Sequence, residues 1–99
     1  MSECLAIQKA GAFAVVLEMI PATLAKEITE ALEIPTIGIG AGSECDGQIL
    51  VWQDFAGLSE KTPKFAKNYL KLRDSLRAAA QDYRSEVQSG SFPPADKQF

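Results

Sequence analysis

The chain has 99 residues, of which 46% are hydrophobic, and a formal net charge of -3, a composition that indicates one small globular domain and excludes a disordered tail. The mild acidity disfavours nucleic acid and anionic membrane surfaces as partners, and no run of about 20 apolar residues predicts a membrane span. Histidine is absent, which excludes a Ser-His-Asp triad and most zinc sites, and two cysteines outside any CxxC pattern predict free thiols in a reducing cytoplasm.

The first predicted element is the end of a helix over Glu3–Ala10, with Gly11 as the residue after its C-cap. The start lacks the features of a signal peptide, and the helix has almost no room to begin, so we expect the chain to start inside an element. The continuous apolar run Ala12–Leu17 predicts a parallel strand covered on both faces, with a short buried helix as the alternative. Gly11 before the run and Pro21 after it favour the strand.

A second helix is predicted from Pro21, whose missing N–H costs nothing in a first helical turn. Its apolar face is predicted to contain Leu24, Ala25, Ile28, Ala31 and Leu32. Pro35 ends this helix, and Thr36–Gly40 is predicted to be a second strand. Strand, helix and strand then form a right-handed parallel βαβ unit, in which Gly38 and Gly40 mark a close approach by another backbone or a ligand.

The chain then enters a predicted loop over Ala41–Gly47, in which Asp46 is interpreted as a helix cap rather than a ligand. Gln48–Phe55 is predicted to be a short apolar helix or an extended segment. Pro63 is predicted to open a long amphipathic helix that Asp74 and Ser75 divide in two. Its apolar face is predicted to contain Phe65, Tyr69, Leu72, Leu76, Ala80, Tyr83 and Val87.

This apolar face is interpreted as packing partly against a core and partly against another subunit. The row of lysines at Lys64, Lys67 and Lys71 is interpreted as a solvated face, and Ser89–Phe99 as a tail. Two parallel strands with helices on one face leave the other face wet, and such small sheets are marginally stable. The pattern is therefore more typical of the closing quarter of an α/β barrel than of a complete domain.

Glu18 is the candidate chemical centre, because it places one carboxylate at the end of an apolar strand. The alternative is that Glu18 is an acid favoured by the N-terminal end of the following helix. The glycines at 38, 40 and 42 suggest a phosphate site, but GxGxxG fails because Ser43 and Cys45 occupy the third positions. Strand packing is the preferred interpretation of these glycines, and Cys45 is interpreted as an incidental free thiol.

The segment VVLEMIPATLAKEITEALEIPTIGIGAGSECDGQILVWQD resembles the C-terminal part of the ketopantoate hydroxymethyltransferase family, and PKFAKNYL and RAAAQDYRSEVQSGSFP continue the match. The family fold is a (βα)₈ TIM barrel. The resemblance implies that residues 1–58 are the last two βα units, with Ala12–Glu18 as the seventh strand and Thr36–Gly40 as the eighth. Residues 59–90 would then be C-terminal helices, and 91–99 a tail.

By the same resemblance, the family reaction transfers a hydroxymethyl group from 5,10-methylenetetrahydrofolate to 3-methyl-2-oxobutanoate. The product, ketopantoate, enters pantothenate and coenzyme A biosynthesis. The resemblance implies that Glu18, the glutamate of VLE, is the general base that removes the C3 proton. It implies Mg²⁺ as a Lewis acid, with ligands expected in an N-terminal half that this chain does not match. It also implies a large cytoplasmic homo-oligomer, a decamer in the family, and glycines that leave room for folate or keto acid at the barrel mouth.

Three functions remain in competition at this point. The first is a segment of the enzyme, inactive by itself because the metal-binding half is not matched. The second is a non-catalytic truncated module that associates with intact barrels. The third is a small βαβ module that binds phosphate.

Overall fold

The computed structural model describes all 99 residues. In chain order the elements are helix α1 (Ser2–Lys9), strand β1 (Val15–Glu18), helix α2 (Ala22–Ala31), strands β2 (Thr36–Ile39) and β3 (Gly47–Gln48), helices α3 (Trp52–Phe55) and α4 (Leu72–Ser89), and a 3₁₀ turn (Ala95–Lys97). They form two compact units, the first from Met1–Val51 with Pro63–Ala66 and the second from Trp52–Thr62 with Lys67–Phe99. None of the helices combines the length and the apolar composition needed to cross a membrane.

The first unit contains a parallel three-stranded sheet in the order β1-β2-β3. Val15 pairs with Thr36 and Glu18 with Ile39, so β1 and β2 run in register over their whole length. The predicted mixed α/β architecture with parallel strands is therefore confirmed. The third strand was not predicted, because a two-residue strand has too few residues to show a pattern, and β3 pairs with β2 only from Gly47 onward.

The strand interpretation of the first apolar run is confirmed, but β1 is shorter than predicted. Val15 N–H donates to the Pro35 carbonyl at 3.0 Å, which makes this the first rung between the two strands. Ala12–Ala14 therefore precedes the sheet, and Phe13 is 90% exposed. The helix predicted near the start of the chain is also confirmed as α1. Gly11 follows the end of α1 with a φ of +100°, a backbone conformation that disfavours residues with a Cβ.

Helix α2 covers one face of the sheet through part of its predicted apolar face. Ala25 and Ile28 are buried and form a core cluster with Leu17 and Ala41. Leu24 and Leu32 pack against this cluster. Ala31 is exposed, so it does not belong to the apolar face in which it was predicted. Burial of these side chains is the main stabilising contribution within the first unit.

The two faces of β1 have different surroundings. Leu17 is buried in the cluster with residues of α2, and because side chains alternate along a strand, Val16 and Glu18 lie on the opposite face. Val16 is 54% exposed, and Glu18 is exposed as well. The expectation that both faces are covered is therefore met on one face only within these 99 residues.

In the second unit, the prediction that a helix opens at Pro63 is wrong, because α4 begins at Leu72. The preceding backbone N–H groups donate to carbonyls of the α3 region instead of to carbonyls four residues earlier. Tyr69 N–H donates to the Phe55 carbonyl at 2.7 Å, and Leu72 N–H to the Ala56 carbonyl at 2.9 Å. These long-range bonds replace the helical ladder until Leu72.

Helix α4 is continuous to Ser89, so the predicted division at Asp74 and Ser75 is also wrong. It ends at Gly90, which has the left-handed conformation typical of helix ends. No residue of α4 is buried; Leu72 is half-buried, and Leu76, Tyr83 and Val87 are exposed. The start of the predicted tail packs back on the helix, where the Phe92 and Tyr83 rings meet edge to face at 5.4 Å.

Candidate functional site

Glu18 is the last residue of β1, at the carboxyl edge of the parallel sheet. Met19 N–H donates to the Ile39 carbonyl at 2.9 Å, so the ends of β1 and β2 are held together beside it. The Glu18 carboxylate has no hydrogen-bond or ion-pair partner in this chain and lies on the face that α2 does not cover. A free carboxylate at this edge can accept a proton from a bound molecule, and barrel enzymes place their chemistry at the corresponding strand ends.

The chain turns sharply immediately after Glu18. Met19 has a φ of +51°, and it is the one residue other than glycine with a positive φ. The left-handed conformation costs such a residue roughly 1–2 kcal/mol. Strain of this kind is common next to functional sites, where the fold maintains an unfavourable backbone because the side-chain placement requires it.

The relation of Glu18 to the start of helix α2 can be described as far as side-chain capping goes. Helix α2 has Pro21 as its N-cap, no side-chain cap hydrogen bond, and no acidic residue in its first turn. The Glu18 carboxylate therefore does not serve as a cap of this helix.

A cleft of about 730 Å³ begins one residue beyond Glu18. It lies within the first unit, and its walls come from the turn after β1, the glycine turn after β2, strand β3 and the turn at Pro63–Ala66. The lining residues are Met19, Ile20, Gly40, Gly42, Ser43, Gln48, Lys64 and Phe65. The cleft is thus built at the same edge of the sheet at which Glu18 lies.

A glycine is required where the Phe65 ring meets the end of β2. A Cβ added to Gly40 would lie 2.9 Å from Phe65 Cγ, and Gly40 has a φ of +63°. The ring is presented by a turn that Ala66 N–H closes on the Pro63 carbonyl at 3.0 Å. Gln48 Nε2 donates to the Gly42 carbonyl at 2.8 Å and connects the glycine turn to β3. The close approach predicted at Gly40 is therefore made by an aromatic side chain of this chain.

Asp46 is not a helix cap, which corrects the prediction. Its Oδ2 accepts hydrogen bonds from Thr36 N–H at 2.8 Å and Thr36 Oγ1 at 3.2 Å, and Asp46 N–H donates to Thr36 Oγ1 at 3.2 Å. Thr36 is fully buried, so its N–H needs a partner within the protein. The carboxylate supplies it, and β3, not a helix, follows directly.

The glycine-rich turn does not have the form of a phosphate site. It leads into β3 and not into the N-terminus of a helix, which is the element that binds phosphate in such motifs. A Cβ on Gly38 would lie 3.0 Å from Cys45 Sγ, so side chains of the chain itself fill the space at this glycine. Cys4 and Cys45 are both free thiols, as predicted.

The residues of this chain do not fit a magnesium site by themselves. No group of three or more His, Cys, Asp or Glu side chains is close enough to hold a metal ion. Glu18 and Glu44 each lie one position along the chain from a residue that lines the cleft, and no carboxylate lines the cleft itself. Magnesium prefers near-octahedral coordination by oxygen, which these residues do not provide.

Lys64 and Phe65 were not recognised from the sequence as residues of this site. Their spacing to Tyr69 and Leu72 indicated a helix with a solvated lysine row, whereas the structure places them in a turn that lines the cleft. The signal that points to them is Pro63, because proline is as typical of turns as of helix starts.

Comparison with known proteins gives concordant matches over nearly the whole chain. The sequence model of the family described as ketopantoate hydroxymethyltransferase matches residues 1–95. Proteins named 3-methyl-2-oxobutanoate hydroxymethyltransferase are 60% identical over 94 residues in Picosynechococcus sp. and 52% identical over 100 residues in Rhodococcus jostii. These matches cover 95% and 100% of this chain but only 36% and 35% of the relatives. The chain thus spans about a third of the length of the relatives it matches.

Proposed function

The chain belongs to the ketopantoate hydroxymethyltransferase family, and we propose that it is the C-terminal part of a 3-methyl-2-oxobutanoate hydroxymethyltransferase. In this proposal residues 1–58 supply the last two βα units of a (βα)₈ barrel, 59–90 its C-terminal helices and 91–99 a tail. The exposed face of β1, with Val16 and Glu18, is then the face directed to the barrel interior. Strands outside this chain would cover it.

The single observation that carries the proposal is the position of Glu18. It ends a parallel strand whose other face packs under α2, so its carboxylate is free at the carboxyl edge, where barrel enzymes bind their substrates. In the proposed reaction Glu18 is the general base that takes the C3 proton of 3-methyl-2-oxobutanoate. Removal of this proton is favoured because the carbanion is conjugated with the neighbouring keto group.

The proposed transfer is balanced by water. The enolate carbon C3 forms a bond to the methylene carbon of 5,10-methylenetetrahydrofolate, and both carbon–nitrogen bonds of that methylene group break. Water supplies the hydroxyl group of the product. The proton that Glu18 removed and one proton from water go to the two nitrogens, which gives ketopantoate and tetrahydrofolate.

The identity of the folate donor, the requirement for Mg²⁺, and assembly into a homo-oligomer remain part of this proposal on the strength of the family resemblance. The metal ligands would have to come from outside this chain, since its own residues do not form a metal site. We therefore propose that the 99 residues alone do not catalyse the transfer.

The test is a chimera of the Picosynechococcus relative in which the matching segment is replaced by this chain. Exchange of the C3 proton of 3-methyl-2-oxobutanoate with deuterium is followed by NMR, without donor. A general base contributes about 10²–10⁴-fold, so Glu18→Gln is expected to slow the exchange by that factor. The amide keeps the size of the side chain but cannot accept the proton.

Glu27→Gln is the matched control, because it makes the same change on the exposed side of α2. It is expected to leave the exchange rate within twofold. An unchanged rate in the Glu18→Gln chimera would refute the assignment of the base.

A second candidate function is a non-catalytic module that associates with intact barrels. It is favoured by the exposure of apolar side chains near the free edge of β1, where Phe13 is 90% and Val16 54% exposed. Mixing the chain with the intact Picosynechococcus relative and measuring sedimentation tests it. Co-sedimentation would support the module, and independent sedimentation at all ratios would reject it.

A further inference from the structure

The chain contains two buried polar residues, and the side chain of only one of them has partners. Thr36 is fully buried, and its hydroxyl is hydrogen-bonded to Asp46 and Thr29. Asp54, in the short helix α3 of the second unit, is 8% exposed, and its carboxylate takes part in no hydrogen bond or salt bridge of the chain. A buried carboxylate is rarely left unpaired, because the hydration that it loses is replaced only by a donor. The burial of Asp54 therefore calls for a partner that these 99 residues do not supply.

The carboxylate of Asp54 is open to a donor that comes from outside the chain. Its backbone carbonyl accepts hydrogen bonds from Asn68 Nδ2 and from Gly57 N–H, so the main chain is fixed at this position. No side-chain oxygen that is sealed from solvent lacks a hydrogen bond anywhere in the chain. The two carboxylate oxygens of Asp54 therefore keep a small contact with solvent, and a donor group can replace that solvent.

Exposed aromatic side chains lie next to Asp54 in the same unit. Trp52 and Phe55 are the first and last residues of α3, and both are exposed. The exposed Tyr69 ring stacks on Phe55 at 4.9 Å, and Lys67 Nζ lies 4.8 Å from the centre of the Tyr69 ring. The contact with Lys67 shows that an aromatic face in this unit already holds a cation. Exposed aromatic groups around an unpaired acceptor are typical of a surface that another polypeptide covers.

We propose that Asp54 pairs with an arginine side chain of a polypeptide that covers α3. A guanidinium donates two parallel hydrogen bonds to a carboxylate, and its plane packs on aromatic rings, so it suits both features of this surface. The inference rests on the proposed function, under which the covering polypeptide is the part of the relatives that this chain does not match. The pair joins the two parts of the protein and takes no part in the proton transfer.

The test compares one substitution in two contexts. Asp54→Asn removes the charge and keeps the size of the side chain. In the 99-residue chain the charge has no partner, so its removal is expected to leave the equilibrium constant of unfolding unchanged or to lower it. In the chimera with the Picosynechococcus relative, the same constant is expected to rise about 10–100-fold, as for the loss of a hydrogen bond to a charged group. Urea unfolding followed by circular dichroism measures both.

Two further variants control for charge and for the neighbouring lysine. Asp82→Asn makes the same change at an exposed residue of α4 and is expected to leave both unfolding constants within about twofold. Lys67→Met removes the ammonium that lies on the Tyr69 ring and is expected to raise the constants by no more than about fivefold. A loss in the chimera as large as that of Asp54→Asn would make Lys67 the partner and overturn the proposal.

Equal destabilisation of the chain and the chimera by Asp54→Asn also overturns the proposal, because the partner then lies within the 99 residues. A loss below about threefold in the chimera does the same, since the amide oxygen of asparagine still accepts a hydrogen bond from a neutral donor. Unfolding requires no substrate, whereas the assignment of Glu18 is tested by proton exchange. Failure of the ion pair and failure of the assigned base are therefore read from different measurements.

Discussion

At the scale of single residues, the contact between Asp46 and Thr36 fixes the loop that carries one wall of the cleft. Three hydrogen bonds join the two residues across ten positions, and Thr36 is fully buried at the first rung of β2. The loop between them contains Gly40 and Gly42. Its conformation, and with it one wall of the cleft, therefore depends on one carboxylate.

Asp46→Ala is expected to lower the free energy of unfolding by about 1–3 kcal/mol, because it leaves the buried Thr36 N–H without its acceptor. Urea unfolding followed by circular dichroism measures the change. Glu44→Ala is the control, since Glu44 is exposed and makes no hydrogen bond, and it should stay within about 0.5 kcal/mol. Equal stability of Asp46→Ala and the unmodified chain would show that the loop does not depend on this carboxylate.

The sequence predicted Glu18 as the candidate but not the role of Asp46, for one physical reason. A carboxylate after an apolar strand is a local pattern, and its place at the strand end follows from the strand alone. The partner of Asp46 is Thr36, ten residues earlier in the chain. The two residues meet because the loop after β2 folds back to the start of that strand. A cap was the expected role because local rules consider only the residues that follow.

At the scale of elements, the two βα units and the long helix show where periodicity succeeds and where it fails. The apolar spacing of Ala25 and Ile28 correctly predicted α2, because the partner of that face is the strand next to it in the chain. The same periodicity continued from Phe65 to Leu72 without a helix. There, N–H groups of Tyr69 and Leu72 donate to carbonyls more than ten residues earlier, a choice that spacing does not reveal.

Strand β1 offers a direct comparison between its two faces. Leu17→Ala removes a side chain buried under α2 and is expected to cost about 2–5 kcal/mol in free energy of unfolding. Val16→Ala changes the neighbouring residue, which is 54% exposed, and is expected to cost less than about 1 kcal/mol. Equal costs in urea unfolding would contradict the orientation of the strand.

At the scale of the whole molecule, many of the large apolar side chains of this chain are exposed. Phe13 and Val16 are exposed near the free edge of β1, and no residue of α4 is buried. Exposed apolar side chains next to an unpaired strand edge are typical of a surface that another polypeptide covers. Under the proposed function, the covering polypeptide is the part of the relatives that this chain does not match.

This expectation can be measured with the part of the Picosynechococcus relative that lies outside the matched segment. Isothermal titration calorimetry is expected to show binding of this chain to it, and Phe13→Ser should weaken that binding about 10–100-fold, the value of a buried phenylalanine. Phe99→Ser is the control, because Phe99 is exposed at the C-terminus. Identical binding by both variants would place the contact elsewhere.

The alternation along β1 has a consequence for any mutational survey of this protein. The Leu17 side chain is buried by other residues of this chain. A screen for folding of the 99-residue chain will therefore detect its replacement. Val16 and Glu18 make none of their proposed contacts here, and the same screen will score changes at both as harmless. Tolerance measured on the isolated segment will therefore be misleading at every second position of the strand, including the one on which turnover is proposed to depend.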